Sequence, residues 1–79
     1  MPRLRKQAPT VGADLTSRER EIVGLLADGM GNEAIATRLA LSPHTVRNHV
    51  QSVLGKLDAH SQLEAVAIAV RERIVARTP

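Results

Sequence analysis

The chain has 79 residues, enough for one small domain, and contains neither cysteine nor any aromatic residue. It can hold no disulfide and no thiolate metal site, and its core must be built from Leu, Ile, Val, Ala and Met, which favours packed helices over sheets. Arg3, Arg5 and Lys6 supply the whole net charge of +3, because residues 14–79 hold eight Lys/Arg against eight Asp/Glu.

That balance is uneven along the chain. Residues 34–57 carry Arg38, Arg47 and Lys56 and no carboxylate, whereas Asp14, Glu19, Glu21, Asp28 and Glu33 gather at 14–33. One side of the fold is expected to be positive, a feature common in small domains and by itself only slight evidence for a nucleic-acid partner. The longest apolar run is far short of the roughly 20 residues that span a bilayer, and no apolar segment follows the basic start. A cytoplasmic protein without membrane contact is expected. His44, His49 and His60 form no i, i+4 pair, so no metal is expected.

Residues 1–14 have two prolines, one glycine and no hydrophobic period, and read as a flexible basic arm or linker. The arm could touch phosphates, or be the remnant of a linker to another domain. The folded domain is expected over 15–76. Its first helix begins after Thr16, where Thr16 and Glu19 make a T-x-x-E capping box. Leu15 staples onto the first turn, Ile22, Val23, Leu25 and Leu26 form the apolar stripe, and Gly29 supplies the left-handed stop. The second helix is short, with Asn32 as N-cap and Ile35, Ala36 and Leu39 buried. A tight turn over 40–42 follows.

Ser42 caps the third helix and Pro43 takes its first position, where a missing N–H costs nothing. Val46, Val50, Val53, Leu54 and Leu57 then recur at helical spacing. Arg47, Asn48, Gln51 and Ser52 lie on the opposite side, and Gly55 weakens the last turns. The fourth helix opens with a second box, Ser61 to Glu64. It shows two apolar stripes: Leu63, Val66, Ala67, Val70 and Ile74, expected to face the core, and Ala65, Ile68 and Val75, flanked by Ala69 and Glu72, expected to be a dimer contact. A core this small gains from such extra burial.

Two helices joined by a short turn, the second with a polar outer face, make a helix-turn-helix, whose second helix can enter the major groove of DNA. Arg47 suits guanine O6 and N7, and Asn48 and Gln51 each suit adenine. His44, Thr45, Ser52 and Lys56 complete the candidate DNA-contacting set, with Thr45 and Lys56 directed at phosphate. His49, beside the apolar stripe, reads as a packed, hydrogen-bonded structural residue. No nucleophile–base pair, phosphate loop or metal cluster is present, so no catalytic residue, no enzyme activity and no cofactor are expected.

Four blocks, L-T-S-R-E-R-E-I-V-G-L-L-A-D-G (15–29), N-E-A-I-A-T-R-L (32–39), L-S-P-H-T-V-R-N-H-V-Q-S-V-L-G-K-L (41–57) and S-Q-L-E-A-V (61–66), closely resemble the LuxR-type DNA-binding domain, the output half of NarL-type response regulators. The resemblance spans about 15–75. It implies an all-α, four-helix domain in which helices 2 and 3 form the DNA-binding pair and the C-terminal helix dimerises. By position, Arg47, Asn48 and Gln51 match base-facing residues of the family, and Thr45 and Lys56 match phosphate-facing ones. The function implied is sequence-specific binding of double-stranded DNA by a bacterial transcription regulator. It would act as a homodimer on an inverted repeat, formed if need be only on DNA, with RNA polymerase admitted as a further partner.

Four departures stand out. Gly31 replaces a usual Ser or Thr, Gln51 a lysine found in some members, Asp58-Ala59 the common Gly-Val, and Gln62 a usual basic residue. Aspartate tolerates the left-handed conformation better than most residues, so position 58 should not change the fold. Two other readings compete. Region 4 of sigma factors has a similar L-x-x-R-E-R-E start but normally ends soon after its recognition helix, so the capped helix after Ser61 separates the two. A helical protein–protein module would show no salt-dependent binding to duplex DNA.

Overall fold

A computed structural model of the chain describes residues 14–75; the expected arm, apart from Asp14, lies outside them, as does position 76. The helices are α1 (Ser17–Ala27), α2 (Asn32–Leu39), α3 (Pro43–Leu57) and α4 (Gln62–Arg71). Among the described residues there is no strand, and no helix is long and apolar enough to cross a membrane.

The helix starts follow local chemistry. Thr16 Oγ1 accepts from the Glu19 amide at 3.0 Å and Glu19 Oε1 accepts from the Thr16 amide at 2.8 Å, so the capping box of α1 is complete. Ser42 Oγ caps α3 through the Thr45 amide at 3.0 Å, with Pro43 in its first turn. The other two starts differ from expectation. The N-cap of α2 is Gly31, with no side-chain bond, and Asn32 is already helical; its Oδ1 instead accepts from Gln62 Nε2 at 3.3 Å. At α4, Ser61 Oγ accepts from the Glu64 amide, but the Glu64 carboxylate reaches one residue further back, to the His60 amide. That amide, outweighing a small desolvation effect, and the His60 ring hold the Glu64 carboxyl below its ordinary acidity range.

All four helices end alike. Gly29, Ala40, Asp58 and Arg73 each follow a helix end at positive φ, at 92°, 58°, 55° and 61°. In each case the next residue's amide reaches back five positions: Met30 to Leu25, Leu41 to Ala36, Ala59 to Leu54 and Ile74 to Ala69, at 2.8–3.1 Å. These are Schellman closures, and only the first uses glycine. Asp58 does adopt the left-handed conformation expected of it. The fourth closure ends α4 at Arg71, so Ile74 lies past the helix and, with Val75, packs against the core.

The core has two lobes. Ile22, Ile35, Ala36, Val46 and Val50 join α1, α2 and α3. Leu15, Val23, Val53, Leu57, Ala65, Ile68 and Ala69 join α1, α3 and α4, with Leu15 buried rather than lying only on the first turn. Leu26 and Leu54 pack against both lobes.

This packing reverses the reading of α4. Ala65, Ile68 and Ala69, expected at a dimer contact, are buried in the monomer, whereas Leu63 is 80% exposed and Ala67 and Val70 face outward. Val66 is half-buried, Glu72 is exposed and Val75 half-buried. The two stripes have the same period and lie about 150° apart on the helix, so spacing alone does not choose between them. The bulky Leu63 and Val70 lie outside, because Ala65 and Ala69 let the α4 backbone approach α1 and α3 closely.

One charged residue among those described is buried. Glu19 is 4% exposed. Besides capping α1, its Oε2 accepts from Ser52 Oγ at 2.6 Å and its Oε1 from Lys56 Nζ at 2.8 Å. Lys56 Nζ also donates to the Asp14 carbonyl at 3.1 Å. Burial pushes the Glu19 carboxyl up, but the bonds from Lys56, Ser52 and the Thr16 amide outweigh it and bring its pKa from 4.5 to about 2. The carboxylate thus ties the start of α1 to one flank of α3.

Two outcomes follow from these contacts. Ala40→Gly relieves an alanine at positive φ, and Gly55→Ala fills an exposed helix-interior position where an added Cβ meets no atom within 4 Å. Each should raise the free energy of unfolding by about 0.5–1 kcal/mol in urea denaturation. The second concerns pH. Native Glu19 loses its proton more readily than the unfolded chain does, so its contribution is complete above pH 4.5 and disappears as pH falls to about 2. Across that window the wild type should lose about 3 kcal/mol more stability than Glu19→Gln, measured by urea melts at successive pH values.

Candidate nucleic-acid interface

The turn between α2 and α3 sets how α3 is presented. Ala40 reverses the chain, and the half-buried Leu41 packs with the Ile22, Ile35 and Val46 lobe. Ser42 then starts α3 with Val46, Val50, Val53 and Leu57 already turned inward. At its N-terminus Pro43 has no amide hydrogen and Ser42 takes the Thr45 amide, which leaves the His44 N–H for an outside acceptor. Thr45 is half-buried, and its Oγ1 accepts from Ser42 Oγ at 2.9 Å, so its own hydroxyl hydrogen is still available.

His44, Arg47, Asn48 and Gln51 are exposed, and none of their side chains bonds to another described residue. They span the face opposite the valines, so the sequence expectation for these four is matched in placement. Asn48 and Gln51, one turn apart, present amides with both donor and acceptor, and Arg47 adds a forked cation beside them. His49 is half-buried beside the stripe, but its side chain makes no hydrogen bond to a described residue, so the bonded structural histidine expected there is packed without a polar partner among them.

Ser52 and Lys56 are placed differently from the expectation. From the sequence both belong to the DNA-contacting set, Lys56 as a phosphate ligand. Instead they occupy the flank of α3 that faces α1, and both are engaged by Glu19. With Lys56 compensated, Arg38 and Arg47 are the cations of the α2–α3 unit that have no acidic partner among the described residues. Sequence reasoning used Glu19 only as a cap. Its second role left no local signal, since Ser52 and Lys56 lie 33 and 37 positions away.

No group of three or more His, Asp or Glu that could hold a metal occurs among the described residues. The α1–α2 turn and the start of α4 border an open apolar cleft of about 450 Å³ lined by Leu26, Ala27, Met30, Gln62, Leu63 and Val66. Leu63 and Val66 belong both to this cleft and to the outer stripe of α4.

Comparison with known proteins agrees with this architecture. Over 72 residues the chain is 39% identical to the probable transcriptional regulatory protein NarL of Mycobacterium tuberculosis, covering 91% of this chain and 33% of that protein. It is 43% identical over 60 residues to the nitrate/nitrite response regulator protein NarL of Escherichia coli, covering 76% and 28%. The chain thus spans about a third of the length of these curated relatives. Among solved structures, the transcription factor GerE superposes with a TM-score of 0.74 at 34% identity, over 78% of this chain and 92% of that one. Residues 13–69 match the sequence profile described as bacterial regulatory proteins, luxR family, and the chain belongs to that family.

Proposed function

We propose that this domain binds double-stranded DNA sequence-specifically, with α3 in the major groove, as the DNA-binding part of a cytoplasmic bacterial transcription regulator. The observation that carries the reading is the unpartnered row Arg47, Asn48 and Gln51 on a helix whose other side is locked into the core. Side chains of these types form bidentate contacts with purine edges, and a rigid helix keeps them in register with successive bases. Membership of the luxR family supports it, as do the relatives, which are named as transcriptional and response regulators. Phosphate contact falls to Arg38, Thr45 and the His44 amide.

The same reading includes a homodimer on an inverted repeat. The surface that suits it is the outer stripe of α4, Leu63, Val66, Ala67 and Val70, in place of the buried residues first expected there. An 80% exposed leucine and an exposed valine two turns further along the same helix face present apolar area that a second copy would bury. Contact with RNA polymerase would then fall to the remaining surface of the DNA-bound dimer.

Selection of duplexes from a random pool at moderate salt, followed by sequencing, tests the whole reading. A two-fold symmetric motif is expected; retention of no motif, with binding that is only salt-sensitive, would remove the claim of direct readout. On the selected site, Arg47→Ala and Asn48→Ala should each cost about 1–3 kcal/mol and relax preference at particular base pairs. Unchanged affinity for Arg47→Ala would exclude α3 as the reading helix. Leu63→Glu should abolish dimers on DNA, scored by band shift, while leaving the monomer helical by circular dichroism. Ile68→Glu should unfold it.

A further inference from the structure

Resting on the assignment of α3 as the reading helix, we propose that Glu19 is a positioning residue for base readout: it fixes the rotation of α3 about its axis and keeps Lys56 off the phosphates. The apolar side of α3 is held by three valines and a leucine, and aliphatic contacts carry little directional preference. Hydrogen bonds do carry one. Ser52 and Lys56 stand one turn apart on one flank of α3, and both are held by the same carboxylate, at 2.6 and 2.8 Å. That carboxylate is itself fixed by the Thr16 amide and by its place on α1, between the buried Leu15 and Ile22 in sequence. The bond from Lys56 to the Asp14 carbonyl occupies a second ammonium hydrogen.

The consequence reaches the outer face. Arg47, Asn48 and Gln51 are rigidly related to Ser52 through a single helix, so a roll of α3 would move all three across the bases together. Bidentate pairing tolerates little of that. Lys56 held in this way releases no counterion when DNA binds, and the salt dependence of binding should not count it. A lysine freed from Glu19 would instead add a sequence-independent phosphate contact, which strengthens every duplex alike and blurs discrimination.

The test compares wild type, Glu19→Gln, Lys56→Met and Ser52→Ala, each verified as helical at pH 7, on the selected duplex and on a random-sequence duplex over a range of salt. Lys56→Met should leave the slope of log affinity against log salt unchanged on the random duplex. Glu19→Gln should steepen that slope by about 0.9, the value for one added phosphate contact. Glu19→Gln and Ser52→Ala should each reduce the ratio of selected to random affinity, by about tenfold, comparable to one lost base contact, with the slope unchanged for Ser52→Ala. If Glu19→Gln does not fold, Lys56→Met and Ser52→Ala decide the question by the same readouts. A shallower slope for Lys56→Met would make Lys56 a phosphate ligand and overturn the proposal, as would an unchanged ratio in folded Ser52→Ala and Glu19→Gln. Absence of wild-type binding to any duplex, even at low salt, would overturn the reading of α3 and this proposal with it, an outcome distinct from the other two.

Discussion

A buried carboxylate on the first helix holds the rest of the molecule in place. Glu19 is taken out of water where an isolated anion would be costly, and three donors make its burial favourable: a backbone amide, a hydroxyl and an ammonium. The amide belongs to the start of α1 and the other two to α3. The arrangement therefore fixes where α1 begins, how far α1 slides along α3, and which flank of α3 is turned inward. That flank lies between the buried valine stripe and the outward row of Arg47, Asn48 and Gln51.

The helix ends make the second constraint. In a domain with an apolar core of two small lobes, the directions of four short helices cannot be set by packing alone. Each is closed by a residue in the left-handed conformation and a five-residue return bond. Three of the four closures place a side chain where glycine is sterically preferred, so local strain is accepted in exchange for turns of defined direction. The turn at Ala40 bears on the candidate interface, because it lays Leu41 against the Ile22, Ile35 and Val46 lobe and sets the direction in which α3 leaves α2.

The charge distribution gains meaning only in three dimensions. The carboxylate-free stretch 34–57 holds three cations. Folding brings Glu19 to one of them, and the cationic character of the α2–α3 unit rests on Arg38 and Arg47. The domain so built carries purine-matching side chains on one side and an apolar stripe and cleft on α4 and the α1–α2 turn on another.

Much was legible in the chain itself. The capping residues Thr16 and Ser42, Pro43 in the first turn of α3, the stop at Gly29 and the valine period of α3 are local signals, since each depends on residues within one or two turns. They place four helices, the helix-turn-helix and the outward row of α3, and the ordered blocks of sequence place the family. What the sequence did not decide are the matters that depend on distant partners. The two stripes of α4 share one period, and only the close approach allowed by Ala65 and Ala69 determines which is buried. Lys56 reads from local sequence as a free cation, and only the fold shows it bonded to a carboxylate 37 positions earlier. Asn32 looks like a cap until the helix is seen to start from Gly31 and Gln62 is found beside its side chain. Periodicity and capping are properties of the local chain, and the sequence determines them; the choice between equivalent faces, and the pairing of a charge with one partner or another, is made by tertiary contacts that no local pattern encodes.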